Sequence, residues 1–220
     1  MDLIEGIKTR RSIRAFKDKP IPEETLNKIL QATANSPSYT NTQPWEVAVV
    51  CGEKKDSLSK MIHDLAQKHA KPHPDIPKPK DWPPKQKTLS KDHGARRLAV
   101  IGVERHDEVG REKLHLLNFE FFGGPCAIFL FMEGSLTEWS TFDMGLFAQN
   151  LILALHSFGL GSCLQASVTD YAKEIKQFLG ISETKKLMIC VSVGYPDSEA
   201  KLNTYKAIKQ KPEDFTKWYR

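Results

Sequence analysis

Three arginines and a serine stand close together near the amino terminus, in the run Arg10-Arg11-Ser12-Ile13-Arg14. Guanidinium groups at this spacing repel one another unless an anion joins them. The guanidinium fork matches the oxygens of a phosphate, and the Ser12 hydroxyl adds another donor. Taken alone, the run favours a solvated basic turn, with a phosphate-binding element as the functional alternative.

A second run places short hydrogen-bonding side chains between two prolines, from Ser36 to Trp45. Such a loop can present hydroxyl and amide groups to a heteroaromatic ring, although an ordinary polar turn has a similar composition. Taken alone, the run favours the polar turn, with a ligand-binding loop just before a strand as the alternative.

A third run, Gly159-Leu160-Gly161-Ser162, contains a GxG pair. The Rossmann fingerprint requires a strand before the glycines and a helix directly after them. Here a helix precedes and a strand-like run follows, so the pattern argues against a Rossmann site. The glycines indicate instead a tight turn or a close approach to a ligand.

Apolar spacing and breaker residues predict the elements that must position these runs. Predicted helices cover 2–9, Pro22 to just before Pro37, 53–69, 95–103, 107–120, 139–157, 170–179 and 212–218, and predicted strands cover 44–51, 126–132, 161–167 and 187–194. Interspersed strands and helices indicate an α/β or α+β class. The helix at 139–157 is apolar nearly all round, which places it in the domain centre or at a subunit interface.

Six of the thirteen prolines fall within residues 71–84 and exclude regular helix or central strand there. The stretch is either a disordered linker or an ordered lid. Trp82 favours the lid, since linkers rarely carry tryptophan. We expect 71–94 to form a lid or insertion, with Trp82 or a neighbouring Phe facing the substrate.

Length and composition restrict the class of protein. The 220 residues predict one domain spanning 1–220, and a net charge of +5 without a nucleic-acid motif gives no reason to expect nucleic acid as a partner. The longest apolar run, 126–132, is too short to cross a membrane, and the amino terminus lacks signal-peptide features. We therefore expect a cytoplasmic protein that does not associate with membranes.

Cysteines and histidines give no sign of a metal site. The four cysteines, listed here, are scattered among apolar or small residues and predict buried free thiols in preference to disulfides: Cys51, Cys126, Cys163 and Cys190. His63, His69 and His73 lack acidic or cysteine companions at ligand spacing. We expect no bound metal.

Taken together, these runs resemble the nitroreductase family of FMN enzymes, and the resemblance extends over nearly the whole chain. The segments that carry it are 10–16, 36–45, Asn118-Phe119, 121–125, Asp143-Met144-Gly145, Gln149-Asn150, 159–162 and Gly194-Tyr195-Pro196-Asp197. Each segment alone is a weak signal, but their shared order and spacing are specific.

The resemblance implies an α+β fold in which helices wrap a central mixed sheet. It implies an intertwined homodimer with two FMN sites at the subunit interface, with the helix at 139–157 in the dimer core. The carboxyl-terminal arm, 196–220, would reach over the partner subunit.

The resemblance also assigns site residues. Arg10, Arg11 and Ser12 would hold the FMN phosphate and ribityl region, and Arg14 would lie near the pyrimidine edge as the catalytic cation. The loop of the other subunit would line the ring through Pro37, Ser38, Tyr39, Asn41 and Gln43. Gly161, Gln165 and Ala166 would place backbone groups near flavin N5 and O4. Lys206 and Lys209 are the candidates for a late basic pair, with Lys211 as an alternative.

Two positions depart from the family pattern. Tyr39 stands where a small residue is common and could narrow the pocket or stack against a ligand. The late basic pair consists of lysines where arginines are common, so a point charge replaces a bidentate fork.

The implied activity is a ping-pong cycle in which NADH or NADPH reduces the flavin at N5 and a small aromatic acceptor, such as a nitroaromatic or a quinone, is then reduced. One alternative is the dehalogenase or flavin-fragmenting branch of the same superfamily. Others are a flavin store without turnover and, from a different class, a basic module that binds RNA or another polyanion. The sequence does not distinguish NADH from NADPH.

Overall fold

A computed structural model describes residues 2–220. Within that range, seven α-helices surround one four-stranded sheet. The helices are α1 (Leu3–Thr9), α2 (Glu23–Thr33), α3 (Gly52–Gln67), α4 (Pro84–Val100), α5 (Glu108–Leu116), α6 (Glu138–Ser157) and α7 (Ala172–Leu179). The strands are β1 (Glu46–Cys51), β2 (Cys126–Glu133), β3 (Gly161–Gln165) and β4 (Lys185–Gly194).

The strand order is β1-β2-β4-β3, and every neighbouring pair is antiparallel. The α+β class is confirmed, but the expectation of a mixed sheet is wrong for the strands of residues 2–220. A parallel pairing is present only as the single bridge between Ser12 and Ser162. The physical reason is that this chain adds segment 12–16 to the sheet edge through isolated bridges and not as a fifth strand.

Both faces of the sheet are covered, because side chains of β2 alternate between two apolar cores. Ile128 and Leu130 pack with α2 and α6 on one face, whereas Phe129 and Phe131 pack with α3 and α7 on the other. The sheet is therefore central, and residues at its ends and edges are free to build a site.

Helix α6 is 20 residues long and packs along one face of the sheet. Its inner residues, such as Phe147 and Leu151, are buried within the chain. Trp139 and Phe142, however, are 64% and 62% exposed. The helix is apolar nearly all round, but within this chain only one of its sides is covered and the other is exposed.

Helix α4 begins much earlier than predicted, at Pro84 and not near Ala95. Proline suits the first helical position. None of the α4 residues is buried, so the helix lacks the apolar stripe by which sequence patterns are read. The predicted helix at 212–218 is likewise reduced to a single 3-10 turn, Pro212–Asp214.

The cysteine prediction was half right. Cys163 and Cys190 are buried free thiols, but Cys51 and Cys126 form a disulfide between β1 and β2. These two residues are 75 positions apart in the chain and lie opposite each other in the antiparallel register, with Cα atoms 4.4 Å apart. The sheet register brought them together, and the register was not readable from the sequence.

The proline-rich part of the expected lid is ordered and packs against α7 and β4. Asp75 accepts hydrogen bonds from Lys176 Nζ at 3.1 Å and from Leu187 N at 2.7 Å. Lys78 forms an ion pair with Asp170 at 2.6 Å. Residues 71–83 are therefore anchored to the framework, and the part that reaches the site is α4.

Two kinds of feature are absent from residues 2–220. No helix among them is long and apolar enough to pass through a bilayer. No cluster of three or more histidine, cysteine, aspartate or glutamate side chains among them has a metal-binding arrangement.

Candidate flavin site

A cavity of about 980 Å³ lies between the segment after α1, the start of β3 and the carboxyl-terminal arm. We call it the main cavity. Of the predicted site residues, it brings together Arg10, Arg11, Ser12, Arg14, Gly161, Lys206 and Lys209. These residues come from three separate parts of the chain.

Backbone pairing fixes the arginine segment along the edge of the sheet. Ser12 forms a parallel bridge with Ser162, and Ile13 N donates to Ser162 O at 2.9 Å. Ile13 itself is buried. Because alternate side chains of an extended segment point to opposite sides, burial of Ile13 turns Ser12 and Arg14 toward the cavity that they line.

Gly161 is required by the closeness of this contact. A Cβ at position 161 would lie 2.7 Å from Ile13 Cγ1 and 2.9 Å from Ile13 Cβ. The glycine therefore permits the arginine segment to lie directly against β3. This is the close approach that the GxG pair indicated, made here by the chain itself.

Asn203 joins the arm to the arginine segment and was missed by the sequence analysis. Its side chain is 2% exposed. Its Oδ1 accepts from Arg14 N at 2.7 Å, and its Nδ2 donates to Ala15 O and Asp197 O, both at 2.8 Å. Asn203 thus fixes the backbone of Arg14. A lone asparagine beyond residue 196 carries no local signal of this role.

The charge of the main cavity has one sign. Within residues 2–220 its lining contains six lysine or arginine side chains, two histidines and no carboxylate: Lys8, Arg10, Arg11, Arg14, Lys206, Lys209, His93 and His156. Phosphate is the kind of group that such a lining binds, through charge and through the guanidinium fork.

The histidine pKa values report the same positive potential. Burial, and then the charges of Arg97, Arg14 and Lys209, lower the pKa of His93. Burial and Arg10 likewise lower the pKa of His156, whose Nε2 lies 2.9 Å from Thr9 Oγ1. Both rings are therefore biased toward the neutral form near a strongly cationic surface.

Arg97 of α4 is a further cation that sequence reasoning did not select. Burial and then Arg14 lower its pKa. Within residues 2–220 it forms no ion pair. Arg97 follows His93 by four residues on α4. Because the charge of Arg14 acts on Arg97, this part of α4 lies close to the arginine segment.

The predicted ring-binding loop lies elsewhere. Pro37, Ser38, Tyr39, Asn41 and Gln43 do not line the main cavity. Tyr39 N donates to both carboxylate oxygens of Asp143 on α6, at 3.1 and 3.2 Å. The loop therefore packs near the amino end of α6, whereas Thr9 contacts His156 near its carboxyl end.

His156 lies thirteen positions after Asp143 in α6, which corresponds to about 20 Å along the helix axis. Within this chain, the predicted ring-binding loop and the main cavity consequently lie near opposite ends of α6.

The loop is nevertheless built to a defined shape. Thr40, Asn41 and Gln43 have φ values of 49°, 59° and 47°. Such left-handed conformations are unfavourable for residues other than glycine, above all for a β-branched one, and they concentrate at functional sites. Ser38 Oγ accepts from Gln43 N at 3.0 Å and helps to hold the turn.

Gln165 and Ala166 also lie outside the main-cavity lining. The Gln165 side chain is 2% exposed, and its Nε2 donates to Asn118 O at 2.7 Å. Gln165 as a whole is therefore buried in the single chain, and the expectation that its backbone and that of Ala166 approach the flavin stays a prediction. Lys211 does not line the main cavity, and Lys206 and Lys209 are the late lysines that do. Trp82 does not line the main cavity either.

Known proteins share this fold and much of this sequence. The profile of the Nitroreductase family matches residues 7–195. A 4-nitrobenzoate reductase of Pseudomonas putida is 30% identical over 210 residues, which cover 96% of this chain and 92% of that protein. Nitroreductase NfnB of Mycolicibacterium smegmatis is 34% identical over 200 residues, which cover 90% of this chain and 84% of that protein.

A solved structure extends the similarity to three dimensions. The FMN-dependent nitroreductase NfnB from Mycobacterium smegmatis, crystallised in complex with NADPH, superimposes with a TM-score of 0.94 at 30% identity and with full coverage of both chains. The family profile, the sequence identity and the fold agree, and the chain belongs to the nitroreductase family.

Proposed function

We propose that this chain is an FMN-dependent NAD(P)H oxidoreductase that reduces small aromatic acceptors, such as nitroaromatics or quinones, in a ping-pong cycle as a homodimer. The observation that carries the proposal is the main cavity, which is lined by six cationic side chains and no carboxylate within residues 2–220. FMN is the flavin with a terminal phosphate, and the cavity fits that group.

The cavity residues divide the binding of FMN among them. Arg10, Arg11 and Ser12 supply guanidinium and hydroxyl donors for the phosphate and ribityl chain, and Lys206 and Lys209 add positive charge from the arm. When bound, FMN supplies the chemistry by taking a hydride from the nicotinamide and giving it to the acceptor. The protein contributes binding, orientation and electrostatics.

Arg14 is the residue that we assign to catalysis. Reduction places negative charge on the pyrimidine side of a flavin, and a fixed cation there stabilises it. Asn203 fixes the Arg14 backbone by a hydrogen bond of 2.7 Å, and the Arg14 side chain lines the main cavity. A positioned charge of this kind requires no reorganisation during the reaction.

The proposal includes two copies of the chain, because the ring-binding loop of one copy lies near the opposite end of α6 from its own cationic cavity. The surface around this loop has the exposed aromatic side chains that are typical of a subunit interface. Tyr39 stacks on Trp139 with ring centroids 5.6 Å apart, and both rings are largely exposed in the single chain. Clustered exposed aromatics of this kind mark association sites. A partner that covers them would bring its Pro37–Gln43 loop to the cationic cavity.

The tail supports the same assembly. Trp218 and Tyr219 are 82% and 88% exposed at the end of the arm. Isolated tryptophans are seldom left in water, and a tail that crosses a partner subunit would cover them.

Nitroaromatic acceptors are supported by what the relatives are named for, among them 4-nitrobenzoate reductases and a nitrobenzene nitroreductase. Dependence on NAD(P)H, which cells keep in their interior, supports a cytoplasmic location. The Cys51–Cys126 disulfide is less usual in that compartment.

The absorbance spectrum of the purified protein tests the proposal. We expect the bands of oxidised flavin, a loss of those bands with NADPH in the absence of oxygen, and their return when 4-nitrobenzoate is added. A colourless protein that does not bind added FMN would contradict the proposal. A yellow protein that NAD(P)H does not bleach would indicate a flavin store.

A further inference from the structure

The predicted ring-binding loop contains a 3-10 turn whose first N–H group finds its acceptor in a distant part of the chain. The turn comprises Tyr39–Asn41, and Ser38 holds the N-cap position. The first N–H groups of a helical turn have no partner inside the turn, and the N-cap side chain usually accepts from one of them. Ser38 does not cap the turn, and its Oγ accepts instead from Gln43 N at 3.0 Å. The Tyr39 N–H group therefore depends on another element.

The acceptor is the carboxylate of Asp143 on α6. Both of its oxygens accept from Tyr39 N, at 3.1 and 3.2 Å, although the two residues are 104 positions apart. Asp143 is 2% exposed, and within residues 2–220 it forms no ion pair. Burial of a carboxylate is costly unless the group is paired or hydrogen-bonded. The contact with Tyr39 N therefore stabilises the loop and the buried carboxylate together.

Helix α6 contacts the loop along one of its sides. Trp139 stacks on the Tyr39 ring, with ring centroids 5.6 Å apart, and Asn150 Nδ2 donates to Ser36 Oγ at 2.9 Å. Positions 139, 143 and 150 are spaced by four and seven residues, which places them on the same side of a helix. One side of α6 thus holds both the start of the loop and its turn.

The conformation of the loop needs such support. Thr40, Asn41 and Gln43 have left-handed φ values, which are unfavourable for these residues unless the surrounding contacts impose them. Residues 39–43 are all exposed in the single chain, so burial of their own side chains does not impose this conformation. The bonds from Asp143 and Asn150, with that between Ser38 and Gln43, supply the constraint.

We propose that Asp143 is a positioning residue for the flavin ring, acting through the loop 36–43, with Asn150 as a second and weaker support. The inference rests on the proposed function, in which this loop meets the ring of FMN. Asp143 itself does not line the main cavity. A loop that is already fixed in its binding conformation loses less conformational freedom when the ligand binds. Asp143 therefore contributes to the affinity for FMN without contact with its phosphate.

Asp143→Ala tests the proposal by removing the acceptor of Tyr39 N. We expect the affinity for FMN to fall about tenfold, as the loss of a charged hydrogen bond does. Fluorescence titration of the flavin-free protein with FMN measures the affinity. At saturating FMN, the visible circular dichroism of the bound flavin should also change, because this signal reports the surroundings of the ring.

Asp75→Ala is the matched control. Asp75 is likewise a carboxylate that accepts from a backbone N–H group, that of Leu187 at 2.7 Å, but it lies in the anchored segment 71–83. Its loss should lower the melting temperature of the protein and leave both the FMN affinity and the circular dichroism of the bound flavin unchanged. The comparison separates an effect on the loop from a general loss of stability.

Asn150→Ala keeps the proposal testable if Asp143→Ala does not fold. It removes the donor to Ser36 Oγ, whereas Ser36 keeps its own bond to Thr33 O at 2.6 Å. We expect a fall of about threefold in FMN affinity, as the loss of a neutral hydrogen bond does, together with a change in the circular dichroism of the bound flavin.

The proposal is wrong if Asp143→Ala, or Asn150→Ala where the first variant does not fold, binds FMN with wild-type affinity. A fall in affinity with an unchanged flavin spectrum would also contradict it, since the loop would then act on FMN other than through the ring. Equal losses in Asp75→Ala would reduce the effect to general destabilisation. Failure of the proposed function has a different signature, namely a wild type that does not bind FMN or whose flavin NAD(P)H does not bleach.

Discussion

The two ends of α6 differ in whether the single chain encloses a cavity beside them. Near the carboxyl end, Arg10–Arg14, the start of β3 and the arm enclose a cationic cavity within one chain. Near the amino end, the Pro37–Gln43 loop is held equally firmly by Asp143, yet its side chains do not line the main cavity and lie beside exposed aromatic rings. One end of α6 borders a cavity that the single chain encloses, and the other end is left open by the single chain.

This difference shows what each half requires. A phosphate is bound by charge, which a single surface can supply, whereas a flat ring must be enclosed on both faces. We propose that the first half forms inside one chain and that the second is completed where two chains meet. Experiments that alter each half separately can test this proposed dimer.

The largest effect is expected from defects placed at opposite ends of α6. Arg10→Ala with Lys206→Ala removes two cations from the main cavity and should weaken FMN binding about 100-fold or more. Asn41→Gly removes a loop side chain and keeps the left-handed backbone, and it should weaken binding by a smaller factor.

Mixing the two variants tests whether the halves belong to different subunits. In a mixed dimer one site receives both defects and the other receives none. After random exchange of subunits, about a quarter of all sites should regain wild-type affinity, as counted by flavin titration. Binding that stays at the average of the two parents would show that each site is built within one chain.

The next largest effect concerns Arg14, which shares the cavity with the phosphate ligands and has a different proposed role. Arg14→Ala should slow flavin reduction by NADPH about 100-fold, since a fixed charge at the developing anion is lost. FMN affinity should fall much less. Stopped-flow absorbance measures the rate, and Arg14→Lys should restore part of it. An unchanged rate would remove Arg14 from catalysis.

The two ends also differ in how far the sequence predicted them. The cluster of Arg10, Arg11, Ser12 and Arg14 was recognisable because these residues are consecutive and carry their own chemical signature. Gly161 was recognisable as a site of close approach. The loop was found as a motif, but its distance from the arginines depends on the packing of α6, which no local pattern encodes.

Features that depend on long-range packing were missed. Asn203 acts on Arg14 across 189 positions, and the disulfide between Cys51 and Cys126 depends on strand register. The start of α4 was missed for another reason, since an exposed helix has no apolar periodicity to read. Sequence analysis thus gave the family and the local chemistry, and the structure added the contacts that hold them in place.

A smaller effect is expected at Asn203, which joins the carboxyl-terminal arm to the arginine segment beside the main cavity. Asn203→Ala leaves Arg14 N, Ala15 O and Asp197 O without this buried partner, which should destabilise the fold by about 3 kcal/mol. Urea unfolding measures the loss. Asn203→Asp keeps the acceptor for Arg14 N but places a buried carboxylate oxygen against Ala15 O and Asp197 O, so it should destabilise the fold at least as much as alanine does. Equal stability of all three proteins would show that the arm is held by other contacts.

The smallest effect is a dependence on pH at the same end of the molecule. Since the folded protein holds the pKa of His93 below its ordinary value of 6.5, by burial and by Arg97, Arg14 and Lys209, the folded state binds fewer protons than the unfolded state below that pH. Stability of the FMN-free protein is therefore full above pH 6.5 and falls as the pH drops toward the lowered value. The phosphate of FMN opposes the cations, so loading with FMN should reduce this loss of stability.

Thermal unfolding of the wild type and of His93→Gln across this pH range measures the effect. The FMN-free variant should lose less stability in acid than the FMN-free wild type, and parallel curves for these two proteins would show that the positive potential at His93 has no influence on folding.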